Sequence, residues 1–319
     1  MSDASSYAWA ADLMNSIVSN IETVVYGKST AVRLVVATLA AEGHVLLEDV
    51  PGTGKTSLAS SLAKSVRCYF RRIQFTPDVM PSDISGFSIY NQKTNDFEFR
   101  PGAVMANIVL ADEINRASPK TQSALLEAME EAQVTVDGET HVLAQPFFVI
   151  ATQNPIEHYG TYPLPEAQID RFMCRLSLGY PERESELKIL RREFGAKDSL
   201  RPVSTALEVL KLREITRTVH AGDDVCDYVL NIVEATRKSP DLLLGSSPRG
   251  GLATLALARA WALLKGRTYV VPDDIKELAP YTLRHRLILS AEAHAKGKTV
   301  DSVFNNLLLH APVTLGPKR

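Results

Sequence analysis

Cysteine is scarce in this chain of 319 residues, and the three that occur, Cys68, Cys174 and Cys226, stand far apart. None belongs to a C-x-x-C pair, which argues against a disulfide scaffold or a cysteine zinc site and favours a reducing compartment. A large charge of either sign is also lacking, because the net charge is -2 and the pI is about 6.4. A protein that binds duplex DNA usually carries a basic excess or stripe, so we expect no nucleic-acid partner.

Long hydrophobic runs are missing as well. The richest apolar stretch, residues 252–264, is interrupted by Arg259 and is too short to span a bilayer. The N-terminus carries Asp3 and Asp12 and no basic and apolar leader, so we expect no secretory signal, no membrane insertion and a cytoplasmic location. Histidines lack metal-ligand spacing, and we interpret His44, in a core strand, and His158, in a loop, as structural or solvated.

The pattern of the chain changes near Pro181, and we predict two domains, residues 1–182 and 183–319. Before Pro181, short β-type runs alternate with helical patterns, and three of the four are almost wholly apolar at their centres. The runs are residues 44–48, 71–75, 107–111 and 147–151. Such runs are typical of parallel strands buried on both faces. The first domain is therefore predicted to be doubly wound α/β, with αβα layers and a mostly parallel sheet.

Helical signals dominate the second domain. Thr205 and Glu208 form a capping box, and Pro272 opens a segment with an acidic first turn. Only residues 268–271 suggest a strand, so we predict a small all-α domain. Residues 315–319 are expected to form a frayed tail.

The strongest motif is Asp49-Val-Pro-Gly-Thr-Gly-Lys-Thr56, which follows an apolar strand and precedes a predicted helix at residues 57–65. It fits the Walker A loop, whose backbone N–H groups cradle phosphates, at all but one consensus position. Lys55 would reach the β- and γ-phosphates, and Thr56 would ligate Mg²⁺. The predicted ATP-binding residues of the loop are Pro51, Gly52, Thr53, Gly54, Lys55, Thr56 and Ser57.

Asp49 replaces the first glycine of the consensus. Aspartate tolerates unusual backbone angles better than most residues, so we expect the loop to survive the replacement. The alternative is a chance glycine-rich turn.

A second motif follows the apolar run at residues 108–111, which ends in Asp112 and Glu113. This is the Walker B form, in which Asp112 would hold Mg²⁺ and Glu113 would polarise the attacking water as general base. The alternative is a strand that ends at two solvated acids. Ligands of open α/β sheets bind at this edge, which favours the functional interpretation.

Asn154 ends a further core strand and precedes Pro155. Its amide could hydrogen-bond the γ-phosphate and the lytic water, whereas the alternative is that Asn-Pro simply opens a turn. Its position after the Walker B motif favours a polar sensor.

Together these motifs resemble those of an AAA+ ATPase, and longer segments of the sequence resemble the MoxR family. The resemblance extends from about residue 24 to at least residue 287. It rests on residues 113–130, on Phe75-Thr-Pro-Asp, on Pro81-Ser-Asp-Ile-Ser-Gly86, on Phe99-Arg-Pro-Gly102 and on residues 159–172. The resemblance implies a hexameric ring with Mg-ATP at subunit interfaces.

Two arginines gain roles from this resemblance. Arg171, in Asp170-Arg171-Phe172, matches the arginine that completes the site of a neighbouring subunit. By spacing alone it would be an exposed arginine paired with an acid. Arg249 matches the sensor 2 position, and it falls in a first helical turn after Ser247 and Pro248, where a cation opposes the helix dipole. A bound phosphate would offset this unfavourable interaction between the cation and the helix dipole.

Two hairpins are predicted. One spans residues 134–143 around Asp137-Gly138, and the other lies within residues 84–99 and is rich in aromatic residues. By resemblance they are the pre-sensor 1 hairpin and the helix 2 insertion, which face the pore or upper surface of the ring. The alternative is that they are ordinary connections with aromatic anchors.

The resemblance implies an ATP-driven, chaperone-like remodeller or activator of partner protein complexes, in some cases with a partner that carries a von Willebrand factor A domain. Two alternatives are a nucleic-acid-dependent AAA+ motor and an ATP-gated scaffold with little turnover. The near-neutral charge weighs against the first, and Glu113 weighs against the second.

Overall fold

The computed structural model describes residues 3–155, 160–191 and 200–313 of the chain. His158 and the tail at residues 315–319 lie outside the described residues, so the predictions made for them are not addressed further.

A five-stranded parallel sheet forms the centre of the first domain, in the order β2-β5-β8-β1-β9. Its strands are β1 (Val45–Glu48), β2 (Phe70–Gln74), β5 (Ile108–Asp112), β8 (Phe148–Gln153) and β9 (Cys174–Leu176). The four predicted strands are confirmed to within two residues at each end. The sequence analysis missed β9, because three residues are too few to show a periodicity.

Side chains alternate between the two faces of this sheet, and both faces are covered. Along β1, Val45 and Leu47 belong to one buried cluster and Leu46 to the other. The first cluster includes apolar residues of α1 (Asp3–Glu22), α2 (Ser29–Ala40) and α3 (Lys55–Ser65). The second includes those of α4 (Pro81–Ser85) and α5 (Pro119–Glu131). The predicted αβα sandwich is therefore confirmed.

Both predicted hairpins are present, and residues at their bases belong to the buried cluster on the second face. One joins β3 (Gly86–Asn91) to β4 (Asp96–Pro101), and the other joins β6 (Gln133–Val136) to β7 (Glu139–Val142). Asp137 and Gly138 both have positive φ, as the tight turn of the second hairpin requires. The rings of Phe99 and His141 stack at 3.8 Å and join the two hairpins.

The second domain is mainly helical, as predicted. Its helices are α7 (Arg183–Leu190), α8 (Ala206–Thr218), α9 (Asp223–Lys238), α10 (Pro248–Leu264), α11 (Pro272–Leu283), α12 (Ala291–Ala295) and α13 (Val300–His310). The capping box of Thr205 and Glu208 is confirmed at the start of α8. Among the described helices of the whole chain, none has the length and apolar content for crossing a membrane.

One part of this domain differs from the prediction. A small antiparallel sheet pairs β10 (Leu242–Leu244) with β11 (Ile288–Leu289), whereas residues 268–271 make only a single bridge, from Tyr269 to His220. The strands were missed because they are short and rich in leucine, which favours helices.

Helix α6 (Glu166–Ile169) precedes β9, and α1, α2 and α10 pack against one another beside the sheet. The buried Arg213 of α8 reinforces this contact, because its guanidinium donates to the carbonyl oxygens of Leu39 and Phe147. Helix α8 is thus held near the amino ends of the strands β1 and β8.

Candidate functional site

The loop between β1 and α3 has the geometry of a phosphate cradle. Gly52 and Gly54 have φ of 87° and 95°, and no atom lies within 4 Å of the place where a Cβ would be. Gly54 caps the eleven-residue helix α3, whose free N–H groups and dipole favour an anion at this end. The ammonium group of Lys55 lies in the same loop and donates to the backbone oxygen of Asp49 at 2.9 Å.

The two acids at the end of β5 share one hydroxyl group. Thr152 of β8 is fully buried, and its Oγ1 donates to Asp112 Oδ1 at 2.7 Å and accepts from the N–H of Glu113 at 2.8 Å. Glu113 has φ of 58° and ψ of 50°, a left-handed conformation that is uncommon for glutamate. Thr152 therefore fixes the backbone of one acid and the carboxylate of the other.

Side chains of the edge strand β2 complete this polar network. Arg72 Nη2 donates to Asp112 Oδ2 at 2.7 Å and to Gln74 Oε1 at 2.9 Å, and Gln74 Nε2 donates to Glu113 Oε2 at 2.9 Å. Glu113 also forms an ion pair with Arg116, at 3.1 Å. Sequence reasoning missed Arg72, Gln74 and Thr152, although polar residues at the carboxyl end of sheet strands were an available signal.

Both Walker motifs line one cavity of about 360 Å³. Its lining includes Pro51, Gly52, Gly54, Lys55, Thr56, Ser57, Arg72, Gln74, Asp112 and Glu113. One hydroxyl and one carboxylate beside a phosphate cradle fit Mg²⁺, which proteins usually hold through one or two carboxylates and the phosphates of the substrate. The predicted ligands Thr56 and Asp112 are therefore brought together, and Arg72 occupies one oxygen of Asp112.

A second cavity of about 440 Å³ adjoins the first and shares Gly52, Gly54 and Ser57 with it. Its other lining residues are mostly apolar: Val24, Val25, Tyr26, Lys28, Thr53, Pro181 and Ile189. A largely apolar slot beside a phosphate cradle suits the base and sugar of a nucleotide. The sequence analysis did not predict this slot.

Asn154 lies one residue beyond β8, between the strands that carry the two Walker motifs. The fold thus brings it to the same edge of the sheet as Asp112. It is not among the residues that line the two cavities.

Arg171 and Arg249 lie together, but at the opposite edge of the sheet. They line a cavity of about 310 Å³ with Gly43 and His44, which immediately precede β1. Four strand residues span about 13 Å, so β1 separates this cluster from the phosphate loop. Neither arginine lines the cavity of the Walker motifs in its own chain.

Carboxylates hold these arginines in place. Glu130, at the end of α5, forms an ion pair with Arg171 and accepts from Arg249 Nη2 at 2.7 Å. Arg171 also donates to the Leu126 carbonyl at 2.9 Å. The hydrogen bond from Arg249, supported by the charge of Arg171, lowers the pKa of Glu130. The carboxylate of Glu130 therefore offsets the cation at the start of α10.

Behind this cluster, Asp170 Oδ1 accepts from the buried Arg286 at 2.6 Å. His44 is also buried there: its Nδ1 accepts from the Val149 N–H at 3.0 Å, and its Nε2 donates to the Met129 carbonyl at 3.1 Å. Burial lowers the pKa of His44 to about 4. The ring is therefore neutral at pH 7, which agrees with its predicted structural role.

Comparison with known proteins defines the class to which this architecture belongs. Residues 44–174 match the family described as ATPase family associated with various cellular activities (AAA), and residues 234–307 match the AAA lid domain. A solved crystal structure from Cytophaga hutchinsonii superposes with a TM-score of 0.89 at 39% identity, covering 97% of both chains.

Two relatives narrow the class to a family. Chaperone MoxR1 of Mycobacterium tuberculosis is 43% identical over 90% of this chain and 79% of its own length. The uncharacterized protein YeaC of Bacillus subtilis is 52% identical over 93% of each chain. The chain belongs to the MoxR family of AAA+ ATPases.

Proposed function

We propose that this protein hydrolyses Mg-ATP at the contacts between copies of itself in a closed ring, and that it uses the cycle to remodel or activate a partner protein complex. One observation carries the proposal: the Walker motifs and the pair Arg171 and Arg249 lie at opposite edges of one sheet. A site that needs both sets of groups can be completed only by a second copy of the chain.

Each group at the carboxyl edge has a role that its chemistry supports. The loop N–H groups and Lys55 would bind the phosphates, and Thr56 and Asp112 would hold Mg²⁺, which neutralises phosphate charge when bound. Glu113 would take the proton of the attacking water, and Asn154 would orient that water. Arg171 and Arg249 would stabilise the charge that develops on the γ-phosphate of the neighbouring copy.

A closed ring is one assembly that this arrangement allows. A head-to-tail contact joins two different faces of the chain, and repeating it produces a ring if the rotation closes. A hexamer is the size that the family resemblance implies. ATP, bound between two copies, would then stabilise the assembly by mass action.

Steady-state phosphate release, measured against protein concentration, tests hydrolysis at shared sites. We expect specific activity to rise with concentration for the wild type and to be absent for Glu113→Gln, which retains the shape of the side chain but not its basicity. Equal, concentration-independent turnover in both proteins would favour the ATP-gated scaffold instead.

Mixed rings test the division of the site between two copies. Alone, Arg171→Ala is expected to bind ATP but to lose at least about a hundredfold in turnover, and Lys55→Ala is expected to lose nucleotide binding. Mixing them creates some interfaces that combine an intact Walker motif with an intact Arg171, so activity should partly return. Absence of any rescue, with mixed assembly verified by native mass spectrometry, would refute action across the interface.

The client-facing part of the proposal rests on the β3–β4 hairpin. Phe97 is 69% exposed, Phe87 and Tyr90 are about half exposed, and such a cluster of exposed apolar rings is typical of interaction sites. The relative MoxR1 is named a chaperone. We therefore propose a protein client, in some settings with a partner of the von Willebrand factor A type, and a cytoplasmic location. ATP-dependent capture of a partner by the Glu113→Gln variant, lost on Phe97→Ser, tests it.

A further inference from the structure

Asp49, the residue that departs from the Walker consensus, is a buried anchor. Only 4% of it is exposed, and it is absent from the residues with positive φ, so the backbone freedom of the consensus glycine is not used here. Its carboxylate accepts three hydrogen bonds: from Ser177 Oγ at 2.7 Å, from the Leu178 N–H at 2.5 Å and from the Gly179 N–H at 2.8 Å. The reason expected from the sequence, tolerance of unusual angles, is therefore wrong.

Lys28 holds the same segment from its other side. Its ammonium group donates to the carbonyl oxygens of Gly179 at 2.9 Å and of Tyr180 at 2.6 Å. Burial lowers the pKa of Lys28, and the charge of Asp49 partly opposes that change. Residues 177–180, which we name the tether, are thus fixed by a buried anion on their N–H groups and a buried cation on their carbonyl groups.

The tether joins two parts of the nucleotide site. It begins directly after β9 and ends directly before Pro181, which lines the apolar slot together with Ile189 of α7. The wall opposite, at residues 24–26, directly precedes Gly27, and a Cβ on Gly27 would lie 2.6 Å from Ser185 Oγ of α7. The two walls therefore pack closely together.

We propose that Asp49 is a positioning residue that, with Lys28 and the tether, sets the distance between the phosphate loop and the wall that binds the nucleoside. Asp49 contacts no phosphate or base in this role. It acts through the tether, so that the slot is already formed before the nucleotide enters. The inference rests on the proposed ATP site, and it assigns a role to a residue that does not contact the nucleotide itself.

If Asp49 acts in this way, its replacement should weaken binding of the nucleoside part of ATP and leave binding of the phosphates unchanged. If the tether shifts, Pro181 and Ile189 no longer face residues 24–26, but the N–H groups of the loop and Lys55 remain. Affinity for ATP should then fall, whereas affinity for inorganic tripolyphosphate should not. The test variant is Asp49→Gly, which restores the Walker consensus and would be harmless if the position mattered only for backbone conformation.

Calorimetric titration of ATP and of tripolyphosphate, both with Mg²⁺, measures this difference in the full chain. We expect Asp49→Gly to raise the Kd for ATP about tenfold, as for the loss of hydrogen bonds to a charged group, and to change that for tripolyphosphate less than twofold. Ser177→Ala removes one of the three hydrogen bonds to Asp49 and changes no lining residue of either cavity, so it should show the same preference and serves if Asp49→Gly does not fold. Thr205→Ala, which removes a cap in α8, controls for general destabilisation and should change neither affinity.

The outcomes separate this inference from the proposed function. Equal weakening of both ligands by Asp49→Gly and Ser177→Ala, or unchanged ATP affinity in both, would overturn the role of the tether while the ATP site stands. Failure of the wild-type chain to bind ATP at all would overturn the proposed function itself. Selective weakening of ATP in both variants, with wild-type values for Thr205→Ala, supports the inference.

Discussion

Replacing Thr152 by valine removes one hydroxyl group that orients both acids of the Walker B motif. Valine retains the shape of the side chain but neither donates to Asp112 Oδ1 nor accepts from the N–H of Glu113. We expect two separate effects: a loss of stability from the broken hydrogen bonds, and a loss of turnover from the displacement of Glu113, the proposed general base.

The size of each effect follows from the contacts. The bond to Asp112 involves a charged group, and the N–H of Glu113 becomes a buried donor without its acceptor, so unfolding should require about 3 kcal/mol less free energy. Glu113 is held in a left-handed conformation by that same contact, and even a small displacement of a catalytic group is costly. Turnover per folded molecule should therefore fall at least about tenfold.

Urea denaturation and phosphate release, measured on the same preparations, separate the two effects. Thr152→Ser loses only one buried methyl group, so it should lose about 1 kcal/mol of stability. Because it keeps the hydroxyl, its turnover should stay within about twofold of wild type. Thr216→Val breaks a comparable buried hydroxyl contact, at 2.8 Å to the Leu212 carbonyl in α8, and should lose stability without losing turnover. Glu113→Gln gives the rate of phosphate release that remains without the carboxylate of Glu113.

Two results would refute this reasoning. If Thr152→Val and Thr152→Ser turned over ATP equally fast, the hydroxyl would not position Glu113. If Thr152→Val were as stable as Thr152→Ser, the two hydrogen bonds of the structure would not contribute to folding.

Three further predictions concern other parts of the chain. His44 has a folded-state pKa of about 4 against 6.5 for the free side chain, so the unfolded state binds more protons between these values and stability falls as pH falls through that window; urea denaturation at pH 7 and pH 4.5 should show His44→Gln losing about 2 kcal/mol less than wild type. Glu130→Gln leaves Arg171 and Arg249 without a shared anion, so light scattering should detect stronger ATP-dependent association at low salt, and unchanged association would contradict this. Asp274, almost fully buried, pairs with two basic side chains; Asp274→Asn should lose about 3 kcal/mol of stability but keep ATP affinity by calorimetry.

The sequence determined the elements whose signals are local. Short β-type runs, three of them almost wholly apolar, predicted four of the five sheet strands, Asp137-Gly138 predicted the turn of one hairpin, and Thr205 predicted the start of a helix. The Walker motifs were readable for the same reason, because a phosphate loop is made by consecutive backbone groups whose geometry the adjoining residues fix. The strands β10 and β11 were not predicted, because segments of two or three residues, mostly leucine, are too short to show a strand period.

Tertiary structure decided the contacts between residues far apart in the chain. Strand order places β2 and β8 on either side of β5, which alone brings Arg72 and Thr152 to Asp112. The position of Arg249 was likewise invisible, because it depends on how the second domain packs on α1 and α2. A motif indicates which chemistry a segment can perform. The packing of distant segments decides which other side chains lie beside that motif. For this reason the sequence predicted a nucleotide site, and only the fold showed that Arg171 and Arg249 lie at the opposite edge of the sheet.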